Sequence, residues 1–82
     1  MWQPQTIENP ESGLYFSDES AWWLIADLLE IGHEFAEIDL QKPPGKKGYE
    51  TLYELSNGSV IYIKIETVGL HIWGRSFHPD NK

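Results

Sequence analysis

Cysteine is absent from the 82 residues. Its absence excludes disulfide staples, thiolate nucleophiles and cysteine-ligated metals, and it points to a reducing, cytoplasmic setting. Long apolar runs are missing too. The longest, Ala21 to Ala26, falls far short of the roughly 20 residues a membrane-spanning helix needs, and the opening residues do not read as a secretory signal. A soluble protein with no membrane partner is expected. Lysine and arginine are missing from residues 1 to 40, which hold nine carboxylates, whereas residues 41 to 82 hold all six basic residues against four carboxylates. The formal net charge of −7 weighs against a plain phosphate binder. Its polarisation allows an acidic side and a mildly basic side within one fold. Repeats, low-complexity tracts and long linkers are absent, and the length suits a single small domain over residues 1–82.

Residues 1–12, with Pro4, Asn9 and Pro10, show little periodicity and read as an irregular N-terminal arm. Leu14 to Phe16 is a short strand candidate for a sheet edge. Ser17 to Ser20 supplies helix-capping side chains and negative charge, good helix formers follow, and Gly32 is a stop, so the pattern predicts a helix from about Asp18 to Ile31. Its apolar stripe is Ala21, Trp22, Leu24, Ile25, Leu28, Leu29 and Ile31. Trp22 and Trp23 cannot both face one core, so one of them stays partly exposed, packed on the arm with Trp2 or marking a partner interface. His33 to Leu40 favours a strand. Gln41 to Gly48, with Pro43-Pro44-Gly45, predicts an exposed loop; its Gly45 and Gly48 lack the spacing of a phosphate-binding loop.

Tyr49 to Phe77 reads as an antiparallel meander. Asn57-Gly58, taken as a two-residue turn, pairs Leu55 with Val60, Tyr53 with Tyr62, Leu52 with Ile63 and Thr51 with Lys64. Val68-Gly69, taken likewise, pairs Ile65 with Ile72, Lys64 with Trp73, Ile63 with Gly74 and Tyr62 with Arg75, and sets His71 opposite Glu66. Side chains alternate along a strand, so Leu52, Ile61, Ile63, Ile65 and Ile72 form the expected core face. The opposite face collects Tyr49, Tyr53, Tyr62, Lys64, Trp73 and Arg75. The fold class is therefore α+β, with one main N-terminal helix packed on a three- to four-stranded antiparallel meander.

An aromatic and cationic sheet face can stack bases and hold phosphates. Cleavage of RNA by its own 2′-hydroxyl needs a base, a cation for the crowded phosphate and an acid for the leaving oxygen. Tyr62, Lys64, Arg75 and His78 are the candidate catalytic residues: His78 as acid or base, Arg75 and Lys64 as charge stabilisers, Tyr62 to position or donate. Lys46, Lys47, Tyr49, Tyr53 and Trp73 are the candidate RNA-binding residues. A half-exposed sheet face carrying long amphipathic side chains is the plain alternative. His33 and His71 lack ligand-like neighbours, so neither a metal nor another cofactor is expected.

The succession of the helix, Tyr49-Glu50-Thr51-Leu52-Tyr53, Ile61-Tyr62-Ile63-Lys64-Ile65 and Arg75-Ser76-Phe77-His78 resembles the motility-quorum-sensing-regulator (MqsR) toxins of the RelE-like superfamily, small ribonucleases of bacterial toxin–antitoxin systems. There, an aromatic-Gln-Asp-Val-Tyr strand precedes a Tyr-Leu-Lys strand and a terminal Ser-Phe-Lys segment. The likeness covers about the last 35 residues. It sets Glu50 where the family has glutamine, Tyr62 and Lys64 on the matching tyrosine and lysine, and His78 at the terminal lysine. Lys42, Lys46 and Lys47 are the candidates for the family's mid-chain catalytic lysine. The resemblance implies a RelE-like α+β fold, metal-independent cleavage of mRNA and neutralisation by a separately encoded antitoxin. The rival reading is a non-catalytic acidic interaction protein, an inhibitor, antitoxin-like partner or phage- or defence-related regulator, that binds a basic protein.

Overall fold

The computed structural model describes residues 1–38 and 46–80, Lys46 by its backbone alone. The fold is α+β: one helix, a four-stranded antiparallel sheet and a separate two-stranded sheet. Helix α1 spans Asp18–Glu30. Ser17 and Ser20 close a reciprocal capping box at its start, Ser17 Oγ accepting from the Ser20 N–H at 3.1 Å and Ser20 Oγ from the Ser17 N–H at 2.8 Å. At its end the His33 N–H donates to the Leu28 C=O and the Gly32 N–H to the Leu29 C=O, with Gly32 at φ +79°. This paired closure needs a left-handed residue, which glycine adopts without a Cβ penalty.

After the two short strands β1 (Glu8–Asn9) and β2 (Leu14–Tyr15), the main sheet runs β3 (Ala36–Ile38), β4 (Lys46–Glu54), β5 (Val60–Val68) and β6 (His71–Pro79), in that spatial order. The strand expected within His33 to Leu40 is present as β3; Asp39 and Leu40 lie outside the described residues. Of the loop expected from Gln41 to Gly48, residues 41–45 lie outside the described residues, and Lys46, Lys47 and Gly48 are corrected: they pair with Val68, Thr67 and Glu66, each having an N–H to give the ladder. The meander expected to end at Phe77 runs on through Pro79. His78 and Pro79 stay paired with Tyr62 and Ile61, because β6 is an outer strand where a missing donor costs no ladder bond.

The β4–β5 register differs by one residue from expectation. Tyr53 stands opposite Ile61, Leu52 opposite Tyr62 and Thr51 opposite Ile63. Asn57-Gly58 belongs to a three-residue loop, Ser56 to Gly58, in which the Gly58 N–H donates to the Leu55 C=O, the Leu55 N–H donates to the Ser59 C=O, and Gly58 takes φ +89°. A tight turn closed by a left-handed glycine shifts the pairing by one. Leu52 consequently lies on the outer face, 48% exposed, while Tyr49 and Tyr53 turn inward against the core.

The second turn is Gly69-Leu70 rather than Val68-Gly69, with Gly69 at φ +59°. Val68 faces His71, Glu66 faces Trp73 and Ile65 faces Gly74, after which Lys64 faces Ser76 and Arg75 is the extra residue of a bulge. His71 is thus not opposite Glu66. Tyr62 meets His78 instead of Arg75, and Ile63 meets Phe77 instead of Gly74. Ile72 sits near the tip of this hairpin, 50% exposed, and contributes nothing to the core.

The core joins Ile61, Ile63, Ile65 and Phe77 of the sheet to Ala21, Ile25 and Leu28 of the helix, with Ile7, Phe16 and Leu55 completing it. The arm is part of this build. Pro4–Thr6 forms a 3-10 turn with Pro4 buried, and β1 pairs antiparallel with β2, so Leu14-Tyr15 adds to the arm and not to the main sheet. Trp2 bridges Phe77 in parallel and stacks at 5.5 Å on Trp22, leaving Trp23 outside. Gly74 lies directly under the Trp2 indole, which would overlap any Cβ there.

Candidate functional site on the outer sheet face

The three long strands present alternate residues away from the helix, and the register brings Glu50, Leu52, Tyr62, Lys64, Glu66, Trp73 and His78 to that side. Tyr62 is central. Its hydroxyl donates to Glu50 Oε1 at 3.0 Å, and its ring lies 5.3 Å from that of its cross-strand partner His78. Burial raises the Tyr62 phenol above its ordinary value, and the bond to the Glu50 carboxylate and that carboxylate's charge push the same way. Tyr62 therefore keeps its proton more tightly than a free phenol and donates it only as a hydrogen bond to Glu50. His78 Nδ1 is 2.8 Å from the Pro79 carbonyl, which only accepts, so Nδ1 carries a proton and Nε2 is the ring nitrogen left to meet a ligand.

Cations and carboxylates alternate across this face. Lys64 is the direct neighbour of Glu50 on β4 and of Ser76 on β6. Arg75, lifted by its bulge, pairs through Nε with Oε1 of the buried Glu66 and lays its guanidinium 5.8 Å from the centre of the Trp73 ring. Beside Tyr62 opens a cleft of about 470 Å³ bordered by Glu34, Glu50, Leu52 and Asp80. The face is zwitterionic and not basic.

The four candidate catalytic residues thus share one face, with Tyr62 and His78 in ring contact. Among the candidate RNA-binding residues Trp73 and Lys47 are exposed. Lys46 is placed by backbone at the start of β4, and Lys42 lies outside the described residues. Tyr49 and Tyr53 are corrected: the one-residue register difference puts them on the helix side, where Tyr53 meets the His33 ring at 5.6 Å. His33 itself hydrogen-bonds Thr51 Oγ1 through Nε2 at 2.8 Å and ties the helix exit to β4. Among the described residues no group of three or more His, Asp or Glu could hold a metal ion, and no helix is long and apolar enough to cross a membrane.

Glu50 was missing from the candidate set. Its only signal in the sequence was its place at the glutamine position of the resembled strand, because the expected register set Thr51, not Glu50, opposite Lys64. No protein-family model, curated protein or solved structure matches the chain. Roles at this face therefore follow from the chemistry of its own side chains.

Proposed function

We propose that this chain is a toxin-like RNA-binding domain that cleaves RNA without a metal, using Glu50, Tyr62, Lys64, Arg75 and His78. The observation that carries the reading is the continuous contact Glu50–Tyr62–His78 across β4, β5 and β6, with Lys64 the cross-strand neighbour of Glu50. In this reaction the 2′-oxygen forms a bond to the adjacent phosphorus and the bond to the 5′-oxygen breaks, giving a 2′,3′-cyclic phosphate and a free 5′-hydroxyl. His78 Nε2 or the Glu50 carboxylate takes the 2′-proton, and the other group, protonated, returns one to the leaving oxygen. Tyr62 fixes the distance between them. Lys64 and Arg75 meet the charge that builds on the non-bridging oxygens, and exposed Trp73 offers a stacking surface for a base. A cognate antitoxin and mRNA as substrate belong to the same proposal.

Incubating the purified protein with total RNA tests it. Cleavage is expected to persist in chelator, to leave cyclic-phosphate ends, and to fall about a hundredfold or more in His78→Ala, Arg75→Ala and Glu50→Gln, as removal of an acid–base group or charge stabiliser does. Intact RNA at low salt, or a His78→Ala variant as active as wild type, sinks it. The pairing of Arg75 with Glu66 favours a second reading, the non-catalytic acidic interaction protein, since an internally neutralised cation has less to offer phosphate.

A further inference from the structure

Helix α1 carries apolar side chains on a second face. Ala21, Ile25 and Leu28 meet the core, whereas Ser20, Trp23, Leu24, Asp27 and Ile31 recur at helical spacing along one border of a groove of about 440 Å³. Phe16, Leu28 and Leu55 are its buried floor, and the Asn9 to Glu11 turn between β1 and β2 is its other border. Trp23 is 63% exposed and Ile31 74% exposed. An indole and a branched aliphatic beside a preformed concavity are the anchors that interfaces use.

Charge identifies the occupant. The two bordering elements each contribute a carboxylate, Glu11 and Asp27, and residues 1 to 40 contain no lysine or arginine to offset them. An apolar floor inside an acidic rim repels nucleic acid and complements a segment whose apolar side chains are flanked by basic ones. We propose that this groove docks a basic amphipathic segment of a partner protein, with a large apolar side chain against Trp23 and Leu24 and a lysine or arginine on Asp27 or Glu11. The groove lies on the helix side of the sheet, so the inference stands apart from the RNA-cleaving reading of the outer face.

The probe is a synthetic helix-forming peptide of leucine and lysine, titrated into the full chain by tryptophan fluorescence and amide NMR shifts, beside a leucine–glutamate counterpart. Expected are shifts centred on Trp23, Leu24, Asp27 and Ile31, weakening with salt, and no binding of the acidic counterpart. Trp23→Ser and Asp27→Lys, both changes at exposed positions, are each expected to weaken binding about tenfold or more with the melting temperature kept. Glu50→Gln and His78→Ala should leave peptide binding unchanged, so failure of the outer-face reading and of this one are separable. The inference is overturned if the peptide binds Trp23→Ser as tightly as wild type, if the shifts map to Tyr62 and Lys64, or if the chain alone forms a dimer that Trp23→Ser dissolves, for then a second copy fills the groove.

Discussion

The two faces of the main sheet are built from the same three strands, yet they do opposite work. On the inner face Ile61, Ile63, Ile65 and Phe77 are buried without a polar atom among their side chains. One residue along in each case, Tyr62, Lys64, Glu66 and His78 face outward, and three of them make polar contacts, Tyr62 with Glu50, Glu66 with Arg75 and His78 with the Pro79 carbonyl. Apolar packing and polar contacts are thus interleaved at a spacing of one residue. A register error of one would exchange them, which is why the turns that set the register decide what each face presents.

The sharpest way to break this comparison is to truncate one side chain on each face. Ile63→Ala leaves a cavity in a fully buried site and is expected to cost about 2–5 kcal/mol, whereas Leu52→Ala, on the outer face one residue along β4 from the Thr51 that faces Ile63, should cost below about 1 kcal/mol. Chemical denaturation of both variants checks it; equal losses would mean that the faces are not distinct. A smaller effect comes from the turn. Gly58→Val forces a β-branched residue to φ +89° and should destabilise by more than about 1 kcal/mol, read as a lowered melting temperature, with nothing crowding the site to explain it otherwise.

The smallest effect sharpens the outer face alone. Because the Tyr62 phenol is raised in the folded chain, the folded state holds its proton more tightly than the unfolded one. The associated stability is complete below the ordinary tyrosine range near pH 10 and is lost as pH rises through the folded value. Tyr62→Phe should flatten that alkaline decline in a series of melts, and Glu50→Gln should reduce it by removing the carboxylate's share. An unchanged alkaline limb in Tyr62→Phe would show that Tyr62 is not the group responsible.

The helix was legible in the sequence because each of its ends is local chemistry: Ser17 and Ser20, three residues apart, form the cap and Gly32 the stop. The isoleucine face was legible because alternation survives without knowing the partner strand. What could not be read was register, since Asn57-Gly58 suits both a two-residue turn and the last two positions of a three-residue loop, and only the packing of Leu55 and Tyr53 into the core decides between them. The Arg75 bulge was equally hidden. It is set by the ion pair to Glu66 and by Trp2 lying over Gly74, contacts that join distant parts of the chain. The candidate quartet still assembled, because all four residues fall on the outer face with the bulge in place, although the partner of Tyr62 changed from Arg75 to His78. The groove beside Trp23 had a signal too, the helical spacing of Ser20, Trp23, Asp27 and Ile31, but the core stripe masked it.

The parallel bridge between Trp2 and Phe77 has a consequence in time. Residues 75 positions apart must meet before the core closes, and a ring of that length carries a large closure entropy, which slows the step that forms it. Of the four described strands of this sheet β6 is synthesised after the others, so Phe77, which seals the interior, and His78 and Arg75, which complete the outer face, arrive on the ribosome's clock together. A nascent chain lacking β6 holds neither Phe77 to seal the interior nor the Tyr62–His78 contact of the outer face, so both faces of the sheet are completed in the same step.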